Sequence, residues 1–232
     1  SDVAHIISQL RTETRQEIFA TLPDKTAAEA LHELEPKIQA YLLTKIDSRK
    51  ALAILDRMPV DEAADVLGDI PPDKSDELLR LMKPRKGAAV RKLLTHRDES
   101  AGGLMTTECI TLPQTLTCEQ AIARLREIGP DAETIYYVYI TDESEKLVGV
   151  LSLRSLIISP PATALSQIMK TNVIHVSSTM NQREVADMIS KYNLLAVPVL
   201  DENNRILGII TVDDVMDYIL PPISRRKRDM LG

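Results

Sequence analysis

The 232-residue chain has no tryptophan, one phenylalanine and two cysteines. It also has no apolar run approaching the roughly 18 residues of a membrane span. Each absence excludes something. Without aromatic platforms for bases to stack on, nucleic acid is not an expected partner. Cys109 and Cys118 stand nine residues apart with no CxxC and no neighbouring histidine pattern, which leaves no zinc or redox motif and suits free thiols in a reducing cytoplasm. His5, His32, His96 and His175 share no ligand spacing. No Gly-rich phosphate loop, nucleophile elbow or Ser/His/Asp grouping occurs, so the chain is not expected to be an enzyme. No signal peptide opens it, and it begins at Ser1 rather than methionine, which suits a fragment of a larger protein.

What is present is 44% hydrophobic residues, drawn almost wholly from Leu, Ile, Val, Ala and Met, enough for one large or two modest cores. The formal charge of −6 is unevenly spread. Residues 99–220 carry 8 basic against 16 acidic side chains, whereas Arg225-Arg-Lys-Arg228 makes the tail basic. The acidic stretch repels nucleic acid and attracts cations.

From Val3 to Arg97 the apolar residues recur at helical spacing, as in Ala27, Ala30, Leu31 and Leu34, and no strand pattern appears. Prolines punctuate the helices. Pro23 and Pro59 are 36 residues apart, as are Pro36 and Pro72, and the segments Leu22–Leu31 and Met58–Leu67 share one pattern: a proline, acidic residues, then an Ala-rich helix. A helical-hairpin repeat, stacked as a small superhelix, follows from that period.

Beyond Leu104 strands alternate with helices. Gly208-Ile-Ile-Thr-Val-Asp-Asp214 reads as a buried strand running into an acidic helix start, with Thr211 placed to cap it. A weaker copy, Gly149-Val-Leu-Ser-Leu-Arg-Ser155, lies 59 residues earlier. Each copy reads as a β-α-β-β-α unit of about sixty residues, with hairpin turns at Asp142–Lys146 and Asp201–Asn204. Leu104-Met-Thr106 and Ile168-Met-Lys170 introduce the copies, and Gly102-Gly103 reads as a flexible junction between domains. Units this small expose one sheet face, so two should pack about a pseudo-twofold axis. The fold class is therefore α+β and multidomain, an all-α repeat followed by two β-α-β-β-α units.

A tandem of such units, with Gly-apolar-apolar-Ser/Thr-x-x-Asp at the second strand-to-helix junction, resembles a cystathionine-β-synthase (CBS) domain pair. More specific are Asp98-Glu-Ser-Ala-Gly-Gly-Leu-Met-Thr106 and Pro130-Asp-Ala-Glu-Thr-Ile-Tyr-Tyr137, then Gly149–Arg154 and Thr211–Asp214. Preceded by a helical repeat, these runs resemble the cytosolic region of the MgtE family of magnesium transporters and channels. The resemblance implies a helical domain over residues 1–98, CBS domains over 99–163 and 164–220, and a connecting segment over 221–232. It also implies a homodimer through the CBS domains, joined to its own transmembrane pore at the cytoplasmic face of the cell membrane.

The resemblance further implies magnesium binding by acidic residues matching Glu29, Asp61 and Asp65 in the helical domain and Asp214 and Asp217 in the CBS pair, with a backbone carbonyl from Gly103. Asp61 and Asp65 are four apart on one helix face, and Asp214 and Asp217 three apart on another. Magnesium takes oxygen ligands, keeps several waters and needs only one or two carboxylates. The same residues have another use. Asp61, Asp213 and Asp214 fall in first helical turns, where a carboxylate gains roughly 0.3–1 kcal/mol from the helix dipole without any metal. Arg183, Asn181 and Asn193 stand where related chains can carry carboxylates, so sites there are weakened. Family members that bind ATP use residues matching Tyr137 and Arg154, although Leu194 stands where an aromatic can complete the stack and Ser155 replaces a ribose-contacting Asp.

The expected function is therefore a magnesium-sensing gate, in which ions bridging the two domains favour a compact dimer that closes the attached pore. The alternative is a CBS-type sensor of ATP or AMP, whose acidic pairs are solvated helix starts. A scaffold built on the helical repeat is a third reading.

Overall fold

Prolines set the rhythm of the first part of the chain. In the computed structural model, which describes residues 2–96, 99–129 and 132–219, the described residues form two compact units that divide between 95 and 96. The first holds eight helices among the described residues: α1 (Asp2–Gln9), α2 (Thr12–Thr21), α3 (Asp24–His32), α4 (Pro36–Lys45), α5 (Ser48–Leu55), α6 (Val60–Asp69), α7 (Pro72–Leu81) and α8 (Pro84–Leu93). Pro23 and Pro59 cap α3 and α6, and Pro36, Pro72 and Pro84 open α4, α7 and α8, positions where a missing N–H costs no intrahelical bond.

The 36-residue period is repeated in the packing. Ala27, Ala30 and Leu31 are buried in α3, and their equivalents Ala63, Val66 and Leu67 are buried in α6. Lys50 donates to the Leu22 carbonyl at 2.5 Å, and Lys86, 36 residues on, donates to the Met58 carbonyl. Each ammonium thus satisfies a carbonyl just ahead of a proline-capped helix. Each helix packs on the one two places further along, from α1 on α3 through to α6 on α8, which is how a stacked hairpin repeat buries its apolar stripes.

The second unit opens with α9 (Ala101–Leu104) and then lays down β1 (Thr111–Pro113), α10 (Cys118–Ile128), β2 (Tyr137–Thr141), β3 (Leu147–Ser152) and α11 (Leu153–Ile158). After the short α12 (Leu165–Ile168), the plan recurs in β4 (Val176–Ser177), α13 (Gln182–Tyr192), β5 (Ala196–Leu200), β6 (Ile206–Thr211) and α14 (Val212–Ile219). Each three-stranded sheet pairs its first two strands in parallel and its last two antiparallel.

The copies agree in detail. Register shifts fall at Ile140/Thr141 and, 59 residues later, at Val199/Leu200. Glu145 and Asn204 adopt matching left-handed conformations at φ 63° and 62°. Asp142 accepts from the N–H groups of Ser144 and Lys146, as Asp201 does from Asn203 and Arg205. Asx geometry therefore closes both hairpins.

The lead-in segments cross over. Thr106, ahead of the first copy, exchanges two 2.9 Å backbone bonds with Ile209 in the second sheet, and Lys170, ahead of the second copy, exchanges two 3.0 Å bonds with Val150 in the first. Each copy's sheet is thus extended by the other's leader. One core lies around Leu112, Val138, Ile140, Leu151 and Leu156, and a smaller one joins Tyr139 to Ala196 and Ile209.

Gly102-Gly103 is not a flexible junction. It lies in α9, whose start is held by the Ser100 hydroxyl accepting from the Gly103 N–H at 3.4 Å, while the N–H groups of Ala101 and Gly102 donate to Met180 and Ser178 carbonyls at 2.7 and 2.8 Å. A Cβ on Gly102 would sit 2.4 Å from His96 Nδ1, so close approach rather than mobility explains that glycine.

Candidate functional site

In the helical unit the acidic candidates sit on two helices. Asp61 is half-buried in the first turn of α6, and Asp65, one turn on, is exposed. No side chain caps that helix start, so the carboxylates of Asp61 and Glu62 are what complements its dipole. Glu62 Oε1 meets His32 Nδ1 at 2.7 Å, tying α6 to the end of α3. Glu29 lies earlier on α3, 3.8 Å from Lys25 in an exposed pair of the kind that contributes little.

In the second unit Asp214 opens α14 in a way the sequence did not suggest. The Thr211 N–H and hydroxyl both donate to Asp214 Oδ2, at 2.7 and 2.9 Å. This is the reciprocal half of a capping box. A cation at Asp214 would therefore compete with the cap for Oδ2. Asp217 belongs to α14, but its side chain lies outside the described residues. Gly103 is half-buried within α9.

These donors suit a hard cation, being carboxylates and one carbonyl with no thiol or imidazole among them. Among the described residues no three His, Cys, Asp or Glu side chains are grouped as a closed protein cage requires.

A second feature is a cavity of about 490 Å³ in the first β-α-β-β-α copy, lined by Tyr136, Tyr137, Ser152, Leu153, Arg154, Ile157, Ile158 and Leu195. Its size is ordinary for a small-molecule site. The topology makes it: β2 and β3 pair Tyr137 with Ser152, and α11 starts directly after, so Arg154 comes to the same opening as both tyrosines. Ser152 caps α11, its hydroxyl accepting from the Ser155 N–H at 3.0 Å and sharing a 2.8 Å bond with the Ser155 hydroxyl. Tyr137 and Arg154 are thus brought together. Leu195, not Leu194, forms part of the wall.

Tyr136, Ile157 and Ile158 were missed by the sequence reading. The available signal was the apolar pair Ile157-Ile158 at the end of an amphipathic turn, where the other apolar positions already account for the buried face.

Tyr139 is fully buried, and its hydroxyl has no hydrogen-bond partner among the described residues. Its phenol pKa is raised, first by burial and then by the neighbouring Cys109 and Tyr137, so it stays neutral. It acts as core between the two copies.

A stacked helical repeat followed by two interleaved β-α-β-β-α units defines a helical repeat domain joined to a CBS-type pair. Residues 1–99 match the MgtE intracellular N domain, and residues 101–160 and 165–221 match the CBS domain. The chain belongs to the MgtE family. It is 44% identical over 130 residues to the magnesium transporter MgtE of Thermus thermophilus and 40% identical over 131 residues to that of Bacillus subtilis. These alignments cover 56% of this chain and 29% of either relative, so the chain spans less than a third of their length. Among solved structures it is similar to the cytosolic domain of the Mg2+ channel MgtE in complex with ATP, with 38% identity and a TM-score of 0.88 over 93% of this chain and 88% of that one. The soluble part of a magnesium transporter matches at 32% identity and a TM-score of 0.82, covering 99% and 87%. No described helix is long and apolar enough to cross a membrane.

Proposed function

We propose that the chain is the magnesium-sensing cytosolic region of a magnesium transporter or channel, joined to a pore beyond this sequence. The observation that carries the reading is the match along 93% of the chain to the cytosolic domain of a channel for that ion. Bound magnesium supplies two positive charges and a demand for oxygen ligands. Uncompensated, the carboxylates of Asp61 and Asp65 and that of Asp214 repel one another, the units separate, and the connecting segments let the pore conduct. Neutralised, with Glu29, Asp217 and the Gly103 carbonyl as further donors, they favour a compact homodimer paired through its CBS domains, and the pore closes. This feedback operates only if the closed form holds the ion more tightly.

Thermal unfolding tests it. A ligand at one hundred times its Kd stabilises the folded state by about 2.7 kcal/mol, so Tm should rise across a magnesium titration. Asp61→Asn and Asp214→Asn should reduce that rise while costing no more than about 1 kcal/mol without metal, because Asn at 214 keeps the acceptor that Thr211 uses and Asn at 61 loses the carboxylate's interaction with the helix dipole. A Tm that ignores magnesium contradicts the reading.

A second reading is favoured by one observation, that Tyr137 and Arg154 line the same cavity. The first CBS copy then binds ATP, with the aromatic ring against adenine and the guanidinium on phosphate. The two readings are compatible, since they use different side chains.

A further inference from the structure

Four side chains of the first-copy cavity are large, apolar and open to solvent: Tyr136 is 61% exposed, Ile157 62%, Ile158 73% and Leu195 46%. Tyr136 is the one with a flat face. It is also held in place. Its N–H donates to the Thr134 hydroxyl at 3.2 Å, and its carbonyl accepts from the Leu153 N–H at 3.0 Å. Leu153 is the first residue of α11 and the neighbour of Arg154, so one hydrogen bond fixes the backbone carrying the ring relative to the backbone carrying the cation. An exposed aromatic ring on a pinned backbone, facing a cavity whose wall also carries a guanidinium, suits a planar ring bearing an anion.

We propose that Tyr136 is a ligand-contacting residue of this pocket, its ring closing over the base of a nucleotide whose phosphates are held by Arg154. The inference rests on the nucleotide reading given above. It adds a second aromatic contact beside Tyr137 and makes Tyr136 a determinant of base binding, separate from phosphate binding.

The test is calorimetric titration of the chain with ATP and, separately, with inorganic tripolyphosphate, which has no base. With no tryptophan in the sequence, tyrosine emission gives an independent signal, because a base stacked on Tyr136 quenches it. Tyr136→Ala should weaken ATP about tenfold, within the range of base stacking on an aromatic side chain, and leave tripolyphosphate unchanged. Tyr136→Leu, which keeps apolar bulk without a ring, should weaken ATP similarly, and Tyr136→Phe should bind as the wild type does. Arg154→Ala should weaken both ligands. If Tyr136→Ala and Tyr136→Leu bind ATP like the wild type while Arg154→Ala does not, the role given to Tyr136 is overturned and the pocket stands. If the wild type binds no ATP, the nucleotide reading falls and this inference with it.

Discussion

The carboxyl of Glu77 is held below the usual carboxylate range, first by the Ser48 hydroxyl and then by Lys74, whose ammonium lies 3.1 Å from Oε2 and 2.6 Å from the Ser48 hydroxyl oxygen. The sign follows by linkage. A lowered folded-state pKa stabilises the fold above the unfolded value, and that contribution is lost as pH falls through the folded one. Ser48→Ala should move the Glu77 titration upward in a carboxyl-detected NMR experiment and reduce the stability lost on acidification. An unmoved titration would show that Lys74 alone sets it. Asp214 shows the opposite limit of reading residues singly. A first-turn acid was legible from the sequence, yet the reciprocal bonds from Thr211 depend on how β6 delivers that residue into α14, which spacing alone does not fix.

At the scale of elements, the period of 36 and the repeat of 59 were both visible because proline and glycine mark positions where the backbone has few alternatives. The crossed leaders were not visible. Thr106 and Lys170 pair with the other copy's strand, and two-residue contacts of that kind leave no periodic trace. They explain the matched glycines. A Cβ on Gly208 would lie 2.3 Å from the Thr106 carbonyl oxygen, part of a paired backbone, whereas a Cβ on Gly149 would meet Met169 side-chain atoms, the nearest at 2.5 Å. Backbone cannot yield without breaking the bridge, whereas the Met169 thioether can rotate, leaving its Cβ at 2.9 Å as the remaining close contact. Gly208→Ala should therefore cost about 1–3 kcal/mol in urea unfolding and Gly149→Ala less. Equal losses would mean that Met169 is as fixed as the bridge.

At the scale of the molecule, the acidic residues from 99 to 220 give the CBS pair a field that gathers cations, and the helical unit adds its own carboxylates. The family was legible from the order of its motifs, Asp98–Thr106, Pro130–Tyr137, Gly149–Arg154 and Thr211–Asp214, which are local runs of sequence. The ligand cavity was half legible: Tyr137 and Arg154 could be named, but walls such as Ile157 and Leu195 come together only through the fold. The central claim is that carboxylates of the two units respond jointly to magnesium. Small-angle scattering of the chain, metal-free and then across a magnesium titration, with Asp61→Ala and Asp214→Ala alongside, tests it most directly. The account predicts a contraction of the dimer that either substitution weakens; an unchanged profile for a dimer under saturating magnesium would contradict it.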